Sequence, residues 1–436
     1  MSALARKDSA RSDLTEALLA AVPQPKGGFS APARAEALAR LRQMGLPTKR
    51  DEYWRYTDPS SLTEAAAPEA ALFDASGEAP LFAARDRLVI TFVDGVFAAD
   101  KSGELAGSGV EIALLSRADQ AELHWARELY GRLEARGQQP VARPLAALNT
   151  AVATDGVLLR VTDKVTRPVH IVYEHADTGS DAYLHHCIKV ETGAALTLLE
   201  TGPGAARLSK VMEVEVADGG AFHHLRAQGR DHSRRAITHI FARLGAEALL
   251  KSFTLTANGV LTRNEAVVEL TGPGGVAHLA GAALGDGATG RFTHDDTVFV
   301  KHSAPGCESR QVFKKVLRTG ATGVFQGKIL VDQVAQKTDG YQISQALLLD
   351  EDSQFLAKPE LEIYADDVKC SHGSTTGALD ETALFYLRSR GVGREDATRL
   401  LVLSFLADAI GEIDDEGLKD EIVARLEGWM IRRRKG

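Results

Sequence analysis

The 436-residue chain sets 51 Lys and Arg against 59 Asp and Glu, a formal net charge of -8, which argues against a general nucleic-acid binder with its basic footprint. With 44% hydrophobic and 25% charged residues it can bury the core of two or three domains, or of one large domain with attachments. Three scattered cysteines, Cys187, Cys307 and Cys370, make no disulfide framework and fit a reducing compartment; no apolar run reaches the roughly 18 residues of a spanning helix and the N-terminus shows no signal-peptide core, so a cytoplasmic chain with no membrane contact is expected.

In chain order, residues 1–150 read as a mostly helical region with one short hairpin. SAPARAEALARLRQMGLP is rich in Ala, Leu and Arg, with Pro32 at a first turn, Gly45 at a C-terminal cap and Pro47 beyond it. Residues 65–83, rich in Ala, Glu, Gly and Pro, read as loop. RLVITFVDGVF, residues 87–97, predicts a hairpin around Asp94-Gly95. A second helical pattern spans residues 118–136.

From residue 155 the texture changes. GVLLRV, PVHIVYEH, HHCIKVETG, ALTLLETG, KVMEVEVADGG, AITHIFARLG, SFTLTANGVLT, AVVELTGPGG and DTVFVKH follow one another as short strands. In VMEVEV, Met212, Val214 and Val216 share one face and Glu213 and Glu215 the other. Thr-Gly, Asp-Gly, Asn-Gly and Gly-Pro-Gly turns recur, and no helix interrupts before residue 365. The pattern allows a sandwich, barrel, propeller or β-solenoid. No exact repeat or propeller signature appears, and a solenoid tolerates irregular coils filled by Val, Leu, Ile and Ala.

The C-terminal residues return to helix. DETALFYLRSRG places Asp380 at an N-cap and Gly391 past the end. EDATRLLVLSFLADAIGEI spaces Ala397, Leu400, Leu401, Phe405, Ala409 and Ile413 on a helical period, and DEGLKDEIVARLEGWM repeats it with Ile422, Leu426, Trp429 and Met430. Arg432, Arg433, Arg434 and Lys435 read as a solubilising helix end. A small helical bundle here can cap the β region or dock a partner.

Catalytic signatures are largely missing: there is no GxxxxGK[ST], GxSxG, HExxH or CxxC, and GPGG at 272–275 reads as a turn. Thirteen histidines form loose groups, His185-His186, His223-His224, His232 and His239, then His278, His294 and His302. Strand alternation gives each His-His pair one inward and one outward imidazole, and the outward ones read as solvent-facing or hydrogen-bonded. ADDVKCSHGSTTG, residues 365–377, is the best candidate for chemistry. Cys370 and His372, one residue apart, can face one side of an extended segment and suit iron or another borderline metal. Two ligands do not close a site, so a second chain or a distant residue such as Cys307 has to complete it. A buried cysteine and a capping histidine are the structural alternative, and Asp366 and Asp367 read as capping the turn into the helices.

GVFQGKILVDQVAQKTDGYQISQALLL, KPELEIYADDVKCSHGSTTG, LDETALFYLRSRG and, near the N-terminus, EYWRYTD (residues 52–58) closely resemble the SufB/SufD family, scaffold subunits of SUF iron–sulfur cluster assembly. KCSHG and the chain length favour the SufD side, with a SufB-like paralogue as the alternative within the family. The resemblance implies a mainly β fold, a right-handed parallel β-helix over residues 151–368 between helical regions at 1–150 and 369–436. It implies a SufB paralogue as partner through the β-helix and the SufC ATPase through the C-terminal helices, in a complex of one SufB, two SufC and one SufD. His372 matches the histidine of the family's assembly site at the SufB–SufD interface, with Cys370 beside it in the same motif. No enzymatic activity and no tightly bound cofactor are expected of the isolated chain. A transient iron–sulfur cluster is expected in the complex, with a flavin and a homodimer of the isolated chain as further expectations. The competing reading outside the family is a β-helix polysaccharide lyase or hydrolase.

Overall fold

The strands that begin near residue 155 do not pair with their sequence neighbours; each pairs with the next but one. Arg207 lies beside Arg235, Leu261 beside Thr293, Thr293 beside Thr322 and Thr322 beside Gln354, all in parallel register. The result is a parallel β-solenoid of about seven turns, flanked by N- and C-terminal helices. Its two faces are a ten-stranded sheet running back from Lys369–Gly377 and a nine-stranded sheet running back from Gln354–Ile363. The structure is a computed structural model and describes residues 3–72, 79–121, 124–228, 233–257, 259–287 and 292–432. His232 and Arg433 to Lys435 lie outside these.

The first coils are closed off. Asp94 and Gly95, at φ of 48° and 81°, turn the expected hairpin, setting Phe92 against Phe97 and Val93 against Val96; positive φ at both central residues matches the twist of the strands. Leu88–Val93 then pairs in parallel with Val169–Glu174, and Val110–Leu114 covers Val157–Val161 antiparallel on the other face. The far end is open. Gln354–Ile363 and Lys369–Gly377 each have a strand on one side only, leaving unpaired backbone groups that can accept another strand.

Coil corners need glycine. A Cβ on Gly272 would run into the Ala246 backbone, where the chain steps to the next coil. The interior is packed by inward residues such as Met212, Val214, Val216, Val268, Leu270 and Phe313, each worth roughly 1.5–3 kcal/mol on burial.

Both outer faces are covered too. N-terminal helices Ala31–Met44 and Pro144–Val152 pack over the nine-stranded sheet, the second buried along its whole length. Helix Arg394–Ile410 lies on the ten-stranded sheet, with Val402, Leu406 and Ile410 against Phe253, Ala280 and Val312. The other two C-terminal helices are Glu381–Ser389 before it and Glu416–Arg432 after it. Asp380 caps the first of the three by accepting from Thr382 and Ala383, and Gly391 follows it at φ 88°.

Three expectations are corrected and one alternative is decided. Residues 118–136 form no continuous helix: a short 3-10 turn at Trp125–Glu128 and a helix at Arg132–Arg136 are separated at Gly131, which sits at φ 72°. Of the two readings of an outward histidine, His185 takes the hydrogen-bonded one: it is fully buried, because the segment around Tyr130 and Gly131 covers that face, and its Nε2 lies 2.9 Å from Glu213. Residues 369–377, assigned to the helical C-terminal region, form the last strand of the solenoid, since Lys369 continues the ladder through Asp339. Asp366 and Asp367 therefore sit in the turn between the last two strands and not at the entry to the helices.

Candidate functional site

The open end of the solenoid is where the singled-out motif lies. The last strand is placed by parallel register with Asp339–Leu348: Gly340 beside Cys370, Gln342 beside His372, Ser344 beside Ser374. The Ser344 and Ser374 hydroxyls are 2.7 Å apart, and Gln342, fully buried, donates to Gln311 at 2.8 Å on the coil before. Residues two apart share a face of a strand, so Cys370, His372 and Ser374 continue this inward polar column into the final rung. No rung covers them, and His372 is exposed. Among the described residues its imidazole has no hydrogen-bonding or ionic partner.

Cys370 differs from its neighbour. It is half-buried against Ile329, Val331, Ala335 and Ala365, and Gly340 beside it leaves room for the sulfur. Burial pushes its thiol above the ordinary value, opposed by a backbone hydrogen bond from Gly340. A thiol held protonated is a weak ligand and nucleophile, so the exposed imidazole is the readier donor. Asp367 contributes through its backbone: its N–H donates to Gln336 Oε1 at 2.9 Å and its carbonyl accepts from Lys337 at 2.5 Å. Cys307 does not join them. Its Sγ donates to the Gly272 carbonyl at 3.3 Å, two rungs and about 10 Å from the level of Cys370.

The other histidines are spread along the solenoid. His186 and His224 face inward into a network with Tyr173, Glu200 and Lys210. His294 joins Lys315, Asn264 and Asp296. His223 and His278 face the loop after helix Arg394–Ile410, against Asp414 and Glu412. One group of three, His185, Cys187 and Glu213, lies within ligand distance of one another, all buried. Glu213 is already engaged there: it accepts from the Gly131 and Glu134 backbone and lies 2.9 Å from His185 Nε2. That trio ties the N-terminal segment to the sheet, and burial raises the Cys187 thiol well above its ordinary value.

Residues 173–405, more than half of the chain, match the family described as SUF system FeS cluster assembly, SufBD core domain. The chain belongs to the SufBD family. It is 29% identical over 420 residues to the iron–sulfur cluster assembly protein SufD of Escherichia coli K12, covering 92% of this chain and 94% of that protein. A SufBD family protein of Mycobacterium leprae is 30% identical, over 73% of this chain and 80% of its own. SufD of Bacillus subtilis is 28% identical, over 65% and 66% respectively. The likeness is therefore SufD-like, and these relatives are named as assembly proteins. No helix among the described residues is long and apolar enough to cross a membrane.

Sequence reasoning singled out Cys370 and His372 but not the polar column beneath them. In GYQISQALLL the apolar Tyr341 and Ile343 pack outward against the C-terminal helices, while Gln342 and Ser344 face in. Alternation there marks the helix-facing side, and only the coil register identifies the interior. Nothing local in EYWRYTD signals its place on the outer face near the open end.

Proposed function

We propose that the chain is a non-enzymatic, cytoplasmic scaffold subunit of an iron–sulfur assembly complex, whose open solenoid end pairs with a SufB-type paralogue and contributes His372 to an assembly site shared between the two. The observation that carries this reading is the position of His372, an exposed imidazole on an unpaired edge strand at the open end. Edge pairing would bring a second chain's ligands to it, completing a set that one chain leaves short. Iron and sulfide are the cargo. The His372 imidazole is a borderline donor suited to iron, and the half-buried Cys370 thiol is at most a secondary one.

The C-terminal helices are the surface offered to a SufC-type ATPase. Phe385, Tyr386 and Leu400 are exposed there, Phe385 by 73%. The same helices are joined to the solenoid by Lys314–Asp408 and by Glu412, which accepts from His278 Nδ1 at 3.0 Å and Arg310 Nε at 3.2 Å. Motion imposed on the helices would reach the open end only if contacts differ between two states. The glycan-cleaving reading gains nothing from relatives named as assembly proteins.

The test is anaerobic co-expression with SufB- and SufC-type partners, with iron and sulfide quantified per complex. His372→Ala is expected to leave the complex intact and to lower its iron and sulfide on the order of tenfold or more; Cys370→Ser is expected to lower them much less. Equal cluster content in wild type and His372→Ala would place the chemistry elsewhere.

A further inference from the structure

EYWRYTD has no part in the assembly site, yet it is tied to the same end of the molecule. Residues 51–58 run across the outer face of the nine-stranded sheet and are fixed on three successive strands. Arg263, on Leu261–Leu270, stacks on Trp54 at 4.1 Å and donates to the Tyr53 carbonyl at 2.8 Å. Asp295, on Thr293–His302, accepts from the Thr57 hydroxyl at 2.5 Å. Gln326, on Thr322–Val331, donates to the Tyr53 carbonyl at 3.1 Å. Trp54 and Thr57 are buried, so this strap is part of the folded wall.

Its tip reaches the edge. The Tyr53 ring packs edge-on against Phe299 with centroids 5.2 Å apart, which aims its hydroxyl at Glu360 Oε2, 2.5 Å away. Lys358 Nζ stands 4.0 Å from the centre of that ring and pairs with Glu52 at 2.6 Å. Lys358 and Glu360 lie on Gln354–Ile363, the edge strand of the sheet. Both edge strands also bond to the strand behind them, Gln354 and Glu362 to Thr322 and Lys328, and Ser374 and Thr375 to Ser344 and Gln345, but the strap's contacts fall on Gln354–Ile363.

We propose that Tyr53 and Glu52 are positioning residues: through Glu360 and Lys358 they hold the edge strand Gln354–Ile363 in register before a partner solenoid adds its own strand there. The proposal rests on the edge-pairing reading above. Ordering backbone costs roughly 1–2 kcal/mol per residue, and an edge strand has only one ladder to resist fraying. A strand already ordered meets its partner with less left to lose. Pro359 sharpens the need for register, because it offers no N–H to an incoming strand.

The experiment compares the full chain with its Tyr53→Phe, Glu52→Gln and Glu360→Gln variants. Backbone hydrogen exchange is read over residues 354–363 and over the interior strand Leu261–Leu270, together with affinity for a co-purified SufB-type and SufC-type pair. Tyr53→Phe is expected to speed exchange on the edge strand about tenfold, leave Leu261–Leu270 protected and weaken partner binding several-fold. Glu360→Gln keeps the strap in place and is expected to reproduce the effect in part. Unchanged edge exchange in all three variants overturns the proposal, as does faster exchange with wild-type affinity, which would make the strap a stability element alone. If the wild-type chain does not bind the pair at all, the edge-pairing reading itself fails and takes the proposal with it; binding that is equal in wild type and variants sinks the strap and spares that reading.

Discussion

Replacing Glu200 by alanine is expected to destabilise the chain by about 3–5 kcal/mol, the range for breaking a buried ion pair from one side. Glu200 points into the solenoid and is completely buried. It accepts from the Tyr173 hydroxyl at 2.5 Å, from Lys210 Nζ at 2.5 Å and lies 2.7 Å from His224 Nε2. Burial alone would raise its carboxyl, but Lys210 and His224 outweigh that and hold it well below the usual range. Burial pulls Lys210 the other way, down to about 7, against the opposing pull of Glu200. Removing Glu200 takes away the counter-charge that holds Lys210 up, so burial strips its proton and leaves a neutral amine without its acceptor in a closed core, and the Tyr173 hydroxyl and His224 lose an acceptor too. Glu200→Gln, which keeps the volume and one acceptor, should cost less. Glu200→Leu with Lys210→Met removes both charges at similar volume and should recover most of the loss, since a buried pair replaced as a pair is often neutral or better. Urea unfolding at pH 7.5 reads all three. A loss under about 1 kcal/mol for Glu200→Ala would mean that water or repacking serves Lys210 there.

This network marks where the sequence stops being readable. The solenoid was legible in part: short strands with recurrent turns and no helices left a sandwich, a barrel, a propeller or a solenoid, and the resemblance to the SufB/SufD family chose among them. Asp94-Gly95, Asp380 and Gly391 were legible because hairpins and caps are chemistry within a few residues. The inward face was not. VMEVEV reads correctly as Met212, Val214 and Val216 inside, but Glu200, Lys210 and His224 also point inside, and Glu213 on the outer face is as buried as Met212. Period-two patterning locates a core when one face meets water. Here helices cover both sheets, so burial and polarity part company. The candidate site divides the same way. Cys370 and His372 could be picked out as residue types on one strand face, whereas the open end that exposes one and half-buries the other is a property of where the coils stop.

Lowering the pH from 7 to 5 should cost several kcal/mol of stability through the buried histidines. Burial pushes His170, His186 and His294 down to about 3 and His239 and His302 to about 4. Each is neutral in the folded chain, whereas an unfolded chain takes up protons on histidine near 6.5. Between about 6.5 and 4 the unfolded state thus binds more protons, and stability falls as pH falls. One such histidine contributes about 2 kcal/mol between pH 7 and 5. Five of them acting in full would rival the roughly 5–15 kcal/mol that holds a domain folded, so partial opening of some sites still leaves a steep slope. Burial raises Glu134 and Asp155, which therefore oppose the effect, while carboxylates held low by cations add to it only at lower pH. Arg263, His239 and Arg143 outweigh burial and hold Glu265 at about 2, so its contribution is present above about 4.5 and is lost as pH drops toward 2. His302 offers a clean check: its Nε2 lies 2.8 Å from the Ser309 hydroxyl and no cation is needed to explain its shift, which comes from burial. His302→Gln should flatten the stability–pH slope near pH 5.5 by about one proton, about 1.4 kcal/mol per pH unit. Urea midpoints at pH 7, 6 and 5 for both proteins test this, and a wild-type chain equally stable across that range would show that these imidazoles are protonated or solvated in the folded state.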